Sequence, residues 1–211
     1  GGSTPGAVFH ELVAAALLDG DPAAVFADAV STAPASEQQQ LRWLFDRHQQ
    51  LTADDPYPVA YRRSEYEMGV TLLVPGIDTD RYDKITQTVV AVVLIGRVDA
   101  AGREADGTPV VVEHRTGEAL ADTSYETDLY ALSTAWAVRS DTAAVHVHRL
   151  GLPDGPVCQR TLYNHQTLTE AAERLREAAT RIAGWHPTNA THPPYTVGGW
   201  CTWCPVRERC Q

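Results

Sequence analysis

Several residue types and patterns are scarce in this 211-residue chain. Lysine is almost absent, since Lys84 is the only one and the positive charge is nearly all arginine. The longest unbroken apolar runs, such as Val89 to Ile95, have seven residues, whereas a membrane-spanning helix needs about 20. No charged segment followed by an apolar stretch opens the chain, so we expect neither a secretory signal nor a membrane span.

The chain has a formal net charge of −10, which argues against a protein that coats nucleic acid through bulk electrostatics. A local basic groove or a cation-binding site is still compatible with that charge. Cysteine is also scarce, and three of the four cysteines fall in the last eleven residues. Such clustering indicates a metal site rather than a disulfide framework. Thiolate ligands need a reducing compartment, so we expect a cytoplasmic protein.

Hydrophobic periodicity predicts a mixed α/β fold. The expected order is three helices, three antiparallel strands, a helix, two strands and a long helix. The first two expected helices cover Pro5 to Leu17 and Pro22 to Val30, and the third opens with a capping box at Ser36. The last two cover Ser124 to Val138 and Thr167 to Gly184. The expected strands lie near Glu65–Leu73, Thr88–Asp99, Pro109–Arg115, Ala143–Arg149 and Val157–Tyr163.

Two acidic residues interrupt or end the valine-rich strands. Asp99 closes the second predicted strand, and Glu113 follows three valines in the third. A carboxylate beside buried apolar residues is costly unless it is paired or holds a cation, so spacing alone leaves a metal site and a surface ion pair open. Asp106-Gly107 marks the turn between the strands. A connection of three residues, or a bulge, is needed to set Asp99, Glu113 and Arg115 on one face.

Four short motifs follow one another along the chain. Gly96-Arg97-Val98-Asp99 and the segment 111–117 (VVEHRTG) are preceded by 6–11 (GAVFHE) and followed by 126–132 (ETDLYAL). In this order they resemble the G-x-x-x-H, G-R-I-D, V-V-D-x-K-T-G and Q-x-x-x-Y-A-L motifs of RecB-like nucleases of the PD-(D/E)XK superfamily. The resemblance covers essentially the whole chain. It implies a restriction-endonuclease-like fold, with a mixed central sheet flanked by helices, and hydrolysis of phosphodiester bonds in DNA.

The resemblance also implies a metal centre. His10, Asp99, Glu113 and the backbone carbonyl of His114 match the positions that coordinate a divalent cation in this family. Oxygen-rich ligation with one imidazole suits Mg²⁺ or Mn²⁺. The expected metal would polarise the scissile phosphate and help generate hydroxide from bound water.

The sequence departs from the family motifs at two positions. Arg115 stands where the family has lysine, and Glu126 stands where it has glutamine. Arginine keeps the positive charge of lysine but is bulkier and planar. Glu126 lies one helical turn from Tyr130 and is placed to pair with Arg115. We expect Asp99, Glu113, Arg115, Glu126 and Tyr130 to form the catalytic set, with the role of the lysine weakened.

The C-terminal segment carries a C-x2-C-P-x4-C cluster formed by Cys201, Cys204 and Cys210. It resembles the iron–sulfur staple of RecB-like and CRISPR-adaptation exonucleases, in which a fourth cysteine precedes the first motif helix. The resemblance implies a 4Fe–4S cluster, whose fourth ligand is expected before Gly1 if this N-terminus is trimmed. Cys158 is the other candidate, although a small buried residue is the simpler interpretation of it. Zinc held by the three cysteines and His186 or His192 is the alternative.

We therefore expect a nuclease domain over residues 1–184 and a cysteine-rich segment over 185–211 that packs on it. The leading hypothesis is a metal-dependent DNA nuclease, an exonuclease acting on DNA ends or single strands. Its expected partners are DNA and a helicase or other repair or recombination subunit. The first alternative is an inactive DNA-binding or assembly module with the same fold. A zinc-stapled protein-interaction domain is the second, and it leaves His10, Asp99 and Glu113 without a role.

Overall fold

The computed structural model describes residues 5–19, 22–53, 55–77, 87–117 and 124–183. The chain divides into two compact units. The first contains the described residues before Thr71 together with Ile95–Ala172, and the second contains Thr71–Leu94 and the described residues from Glu173 onward. Each unit is described by itself. The predicted domain boundary at 184/185 and the cysteine-rich segment lie outside the described residues.

Ten helices and strands make up the described chain. The helices are α1 (Pro5–Asp19), α2 (Pro22–Thr32), α3 (Ala35–Ala53), α4 (Ser124–Val138) and α5 (His165–Ala183). The strands are β1 (Val59–Ile77), β2 (Gln87–Glu104), β3 (Pro109–Arg115), β4 (Ala143–Arg149) and β5 (Val157–Tyr163). The predicted bounds of α4, β3, β4 and β5 are confirmed. No helix in the described part of the chain is both long enough and apolar enough to cross a bilayer.

Two local predictions were wrong. Helix α3 begins at Ala35, so Ser36 lies inside its first turn instead of capping it, and the N–H of Glu37 donates to the carbonyl of Pro34 at 2.8 Å. Strand β2 continues to Glu104, so Asp99 lies within the strand and does not close it. The extension is stabilised by pairing with β3, in which Ala100 faces Val112.

The first unit contains a five-stranded sheet in the order β1-β2-β3-β4-β5. Strands β2 and β3 are antiparallel, β3 and β4 are parallel, and β4 and β5 are antiparallel. The parallel step needs a crossover connection, and the chain between β3 and β4 contains α4, which packs against both strands. The predicted α/β architecture with a mixed sheet is confirmed.

The hairpin between β2 and β3 has one of the two connections that the sequence analysis allowed. The N–H of Glu104 donates to the carbonyl of Thr108 at 2.9 Å, so the connection has three residues, 105–107. Gly107, its last residue, has φ of 89°, a conformation that suits glycine in a three-residue hairpin loop. The paired residues run from Arg103 and Pro109 to Ala100 and Val112, and beyond them the N–H of His114 donates to Asp99 Oδ2 at 2.6 Å. The predicted alternatives were a three-residue connection and a bulge, and the structure contains the first.

Two apolar clusters lie among the described residues of the first unit. The larger one joins α1, α2 and α3 to the end of β4, and its buried members are Phe9, Val13, Phe26, Val30, Leu41, Leu44, Leu51 and Leu150. The smaller one lies on the sheet and contains Ala100, Val110, Val112 and Ala144. Together these clusters hold α1 and the strands that carry the candidate site residues.

The second unit contains residues 71–77 of β1, residues 87–94 of β2 and residues 173–183 of α5. In β1, Leu72 and Val74 are buried whereas Leu73 is exposed, the alternation of a half-buried strand. In α5, Leu175 and Ala179 are buried and four residues apart, as an amphipathic helix requires.

Candidate active site

Asp99 lies at the centre of the contacts among the predicted metal ligands. Its Oδ1 atom is 2.9 Å from His10 Nδ1, although the two residues are far apart in the chain. Its Oδ2 atom accepts a hydrogen bond of 2.6 Å from the backbone N–H of His114 and lies 3.4 Å from His114 Nδ1. Burial alone would raise the pKa of Asp99, but the hydrogen bonds from His10 and His114 outweigh it and hold the pKa well below its usual range. Asp99 is therefore a carboxylate at any ordinary pH.

The second group of site residues joins the end of β3 to α4. Arg115 Nη2 forms an ion pair with Glu126 Oε2 and lies 3.4 Å from Glu113 Oε1. Tyr130 reaches the same place, with its hydroxyl 3.1 Å from Glu126 Oε1 and 2.9 Å from the carbonyl oxygen of Arg97. The predicted pairing of Arg115 with Glu126 is confirmed. Arg115 therefore lies between two carboxylates, and its positive charge is already matched by protein groups.

The pKa of Tyr130 is raised well above its ordinary value. Burial is the main cause, and the negative charges of Glu113 and Glu126 add to it. The phenol therefore keeps its proton at neutral pH and serves as a hydrogen-bonding group. Its ring also packs closely on Gly96, where an added Cβ would lie 2.6 Å from Tyr130 Cε1. This contact accounts for glycine at the start of the G-R-V-D motif.

The donor set fits a divalent cation of the Mg²⁺ or Mn²⁺ class. Asp99 and Glu113 offer carboxylate oxygens, and His10 offers one imidazole nitrogen beside Asp99. Glu113 is buried within β3, where a carboxylate needs a cationic neighbour. Arg115 supplies one such neighbour, and a metal ion would be another. The structure brings His10 and Asp99 into contact and pairs Glu113 with Arg115.

Sequence reasoning missed a second cluster of metal-binding side chains in the same unit. Among the described residues, ligand atoms within 4.8 Å of one another occur in two groups, His48 with His114 and His148, and Asp55 with His146, His148 and Cys158. Neither group is the predicted His10, Asp99 and Glu113 set. A sequence signal was present, because His146 and His148 are two apart on a strand and so share a face.

Burial keeps His48 and His148 neutral. It lowers the pKa of His48 to about 3 and that of His148 to about 2, with the neighbouring His114 lowering both further. The ring centroids of His48 and His114 are 5.2 Å apart, as are those of His114 and His148. Neutral imidazole is the form that ligates metals.

Glu104 forms a separate buried ion-pair network beside His146. Its Oε1 atom is 2.7 Å from His146 Nε2 and accepts from Arg160 Nε at 2.7 Å, and its Oε2 atom accepts from Arg160 Nη2 at 2.7 Å. Burial would raise the pKa of Glu104, but the bonds to Arg160 and His146 lower it overall. Arg160 also lies over the ring of Tyr57, 4.2 Å from its centroid. The network fixes the ring of His146 from one side.

The predicted iron–sulfur ligands Cys201, Cys204 and Cys210 lie outside the described residues. Within the described part of the chain, Cys158 is the one cysteine, and it is a free thiol. Burial raises the pKa of that thiol to about 11, with Asp55 and Glu104 contributing.

Comparison with known proteins identifies the class to which this chain belongs. A model of the PD-(D/E)XK nuclease superfamily matches residues 3–211. The chain is a member of that superfamily, and its mixed sheet with packed helices is the restriction-endonuclease-like fold that its motifs predict. The crystal structure of SSO0001 is also similar, with 14% sequence identity, 97% of this chain and 86% of that chain covered, and a TM-score of 0.33. No curated protein matches the chain.

Proposed function

We propose that the protein is a metal-dependent deoxyribonuclease that hydrolyses phosphodiester bonds at DNA ends or in single strands. The observation that carries this proposal is the contact between His10 and Asp99, which joins two family motifs that are 89 residues apart in the chain. Membership of the nuclease superfamily supports the reaction class. Exonuclease action and the choice of DNA are inferred from the RecB-like motifs.

In this proposal Asp99, Glu113, His10 and the backbone carbonyl of His114 hold Mg²⁺ or Mn²⁺. The metal, when bound, supplies a Lewis acid for the phosphate and lowers the pKa of a water molecule. The backbone N–H of His114 fixes the orientation of the Asp99 carboxylate. Arg115 supplies positive charge near the phosphate, and Glu126, oriented by Tyr130, limits that charge. This arrangement predicts a slow nuclease.

A second candidate function is an inactive nuclease-fold module that binds DNA or assembles a repair, recombination or defence complex. The ion pair between Arg115 and Glu126 favours this alternative, since it engages the cation that would replace the motif lysine. The two candidates differ in one measurable property, metal-dependent cleavage.

The remaining proposals rest on the sequence motifs. We propose a 4Fe–4S cluster on Cys201, Cys204 and Cys210, with zinc as the alternative, in the segment 185–211 that follows a nuclease domain at 1–184. We also propose a cytoplasmic location and a helicase or other repair subunit as partner.

Cleavage of end-labelled DNA tests the proposed function. Single- and double-stranded substrates labelled at either end are incubated with excess protein and Mg²⁺ or Mn²⁺. Asp99→Ala and His10→Ala are expected to abolish cleavage, while Asp46→Ala and His165→Ala, at exposed positions, retain it. Progressive shortening from one end indicates an exonuclease and gives its polarity. Wild-type rates equal to those of Asp99→Ala would support the inactive module.

A further inference from the structure

One face of strands β4 and β5 gathers potential metal ligands, none of which belongs to the predicted nuclease set. His146 and His148 alternate along β4 and therefore point to the same side. Cys158 is the cross-strand partner of His148 and shares that side. Asp55, which follows α3, completes the group, with its ligand atom and the other three within 4.8 Å of one another. Four donors from three separate segments therefore converge at one point.

His146 has the surroundings of an oriented metal ligand. Its Nε2 atom is 2.7 Å from Glu104, which Arg160 holds in place through two hydrogen bonds. Its Nδ1 atom is buried, and no described residue offers it a hydrogen bond. A carboxylate on one imidazole nitrogen, with the other nitrogen directed at a cation, is the usual arrangement around metal-bound histidine.

His148 gives an independent reason to expect an ion. Its side chain is fully buried, and the described residues give neither of its ring nitrogens a hydrogen-bond partner. An unsatisfied buried polar atom costs about 1–3 kcal/mol. A ligated cation would remove this cost for at least one nitrogen of His148.

We propose that Asp55, His146, His148 and Cys158 bind one zinc ion, at a structural site separate from the nuclease centre. Four protein donors with tetrahedral closure are typical of structural zinc, whereas a catalytic zinc site keeps a position open. The thiolate and the two imidazoles favour Zn²⁺ or Co²⁺ over the hard cations Mg²⁺ and Mn²⁺.

The spacing and access of the group suit this ion. Zinc bonds of about 2.0–2.3 Å place tetrahedral ligand atoms roughly 3.3–3.8 Å apart. The present upper limit of 4.8 Å therefore requires a contraction of at most about 1.5 Å. A surface cavity of about 240 Å³ is lined by Asp55 and Cys158 together with Gln50, Leu51, Pro56 and Pro156. This cavity gives the ion a path from solvent to two of its ligands.

The site would fasten the segment after α3 to the edge of the sheet. Asp55 lies between α3 and β1, whereas the other three ligands belong to β4 and β5. Bound zinc would therefore cross-link distant parts of the same unit. Because such a site does not form in the unfolded chain, the binding energy of the ion contributes to folding.

Cobalt binding to the whole chain tests this proposal. The metal-depleted protein is loaded with Zn²⁺ or Co²⁺, and metal content and the thiolate-to-cobalt charge-transfer absorption are measured. Cys158→Ser is expected to remove one equivalent of metal per chain and its share of that absorption. Glu104→Gln is expected to weaken zinc binding 10- to 100-fold by releasing the ring of His146. His165→Gln, at an exposed histidine, is the matched control and should change neither quantity.

Two further variants distinguish the proposed zinc site from the C-terminal cysteines and from the group His48, His114 and His148. In a chain with Cys201, Cys204 and Cys210 all replaced by serine, one cobalt ion with a single-thiolate spectrum should remain, and Cys158→Ser should then remove it. His48→Gln should leave this spectrum unchanged. Loss of the metal on His48→Gln but not on Cys158→Ser would instead place the ion among His48, His114 and His148, and overturn the proposal. Equal metal content in the wild type and Cys158→Ser, with both folded by circular dichroism, would also overturn it.

Discussion

Replacement of Arg115 by lysine and Glu126 by glutamine should increase DNA cleavage. In the structure the guanidinium of Arg115 is engaged by Glu126 and lies 3.4 Å from Glu113. Glutamine at position 126 removes the competing negative charge, and lysine at 115 restores the compact ammonium that the family motif carries. The double variant thus places an available cation beside the proposed metal ligands.

The double substitution should affect stability little and the cleavage rate more strongly. The side chains of Arg115 and Glu126 are 33% and 34% exposed, and an ion pair that accessible contributes about 0–1 kcal/mol to stability. The double variant should therefore fold as well as the wild type. One positioned charge-stabilising group is worth roughly 10²–10³ in rate. Arg115 already supplies part of this charge stabilisation. We therefore expect the double variant to cleave DNA about tenfold faster than the wild type, which corresponds to about 1.4 kcal/mol of transition-state stabilisation.

Single-turnover cleavage of end-labelled DNA measures the increase. Asp99→Ala gives the background rate, and Arg42→Lys combined with Glu177→Gln, both at exposed positions, is the matched control. A double variant that cleaves no faster than Asp99→Ala would refute the reasoning and support the inactive module. If the wild type cleaves faster than Arg115→Lys, arginine is a working form of the motif residue and the lysine argument is wrong.

Three further predictions concern stability and cofactors. Gly102→Ala should destabilise the protein by about 1–3 kcal/mol in urea unfolding, because the new Cβ would lie 2.3 Å from the carbonyl oxygen of Ala60, while Gly117→Ala, which meets no atom within 4 Å, should have little effect. The folded-state pKa of Glu104 is lowered because its ion-pair partners outweigh burial. Its contribution to the free energy of unfolding should therefore be present above the unfolded pKa of about 4.3 and be lost as pH falls through the folded pKa. Glu104→Gln should flatten this acid-side loss of unfolding free energy; an unchanged pH profile would contradict it. Protein purified without oxygen should contain iron and lose it on Cys204→Ser, and absence of iron from such a preparation would count against the cluster.

Much of the fold followed from local sequence patterns. The bounds of β3, β4 and α4 were predictable because valine-rich segments, the Gly, Pro and Asp residues that bound them and the helix period all agreed. Asp106-Gly107 also predicted a turn, and the need for Asp99 and Glu113 to share a face left a three-residue connection or a bulge, of which the structure contains the three-residue connection. Here a chemical requirement excluded a simple two-residue turn.

The errors have a physical cause in non-local pairing. Strand β2 was expected to end at Asp99, because the residues after it are small and polar and have little strand propensity. In the structure this segment pairs with β3, and that partner decides its conformation. Ser36 matched a capping motif, but the helix had already begun at Ala35. Local propensity was overridden by contacts that the local sequence does not contain.

The sequence shows only the His146 and His148 pair of the cluster around His148, for a related reason. Its members, Asp55, His146 and Cys158, come from a connection and two strands, and their spacing along the chain matches no metal-binding motif. Their proximity depends on the register of β4 with β5, which sets His148 opposite Cys158. Such a site becomes visible once the strand pairing is known.

Strand β3 connects the two candidate metal centres through the alternation of its side chains. Glu113 and Arg115 point to one face, where Arg115 meets Glu126 of α4. His114 points to the other face, where its ring lies against those of His48 and His148. Its backbone N–H nevertheless holds the carboxylate of Asp99 at 2.6 Å. A shift of β3 that displaced the His114 ring would therefore also move the donor that orients Asp99. Packing around the His114 ring thus contributes to the orientation of the Asp99 carboxylate. Asp55, His146 and Cys158 would therefore influence the nuclease centre without taking part in cleavage.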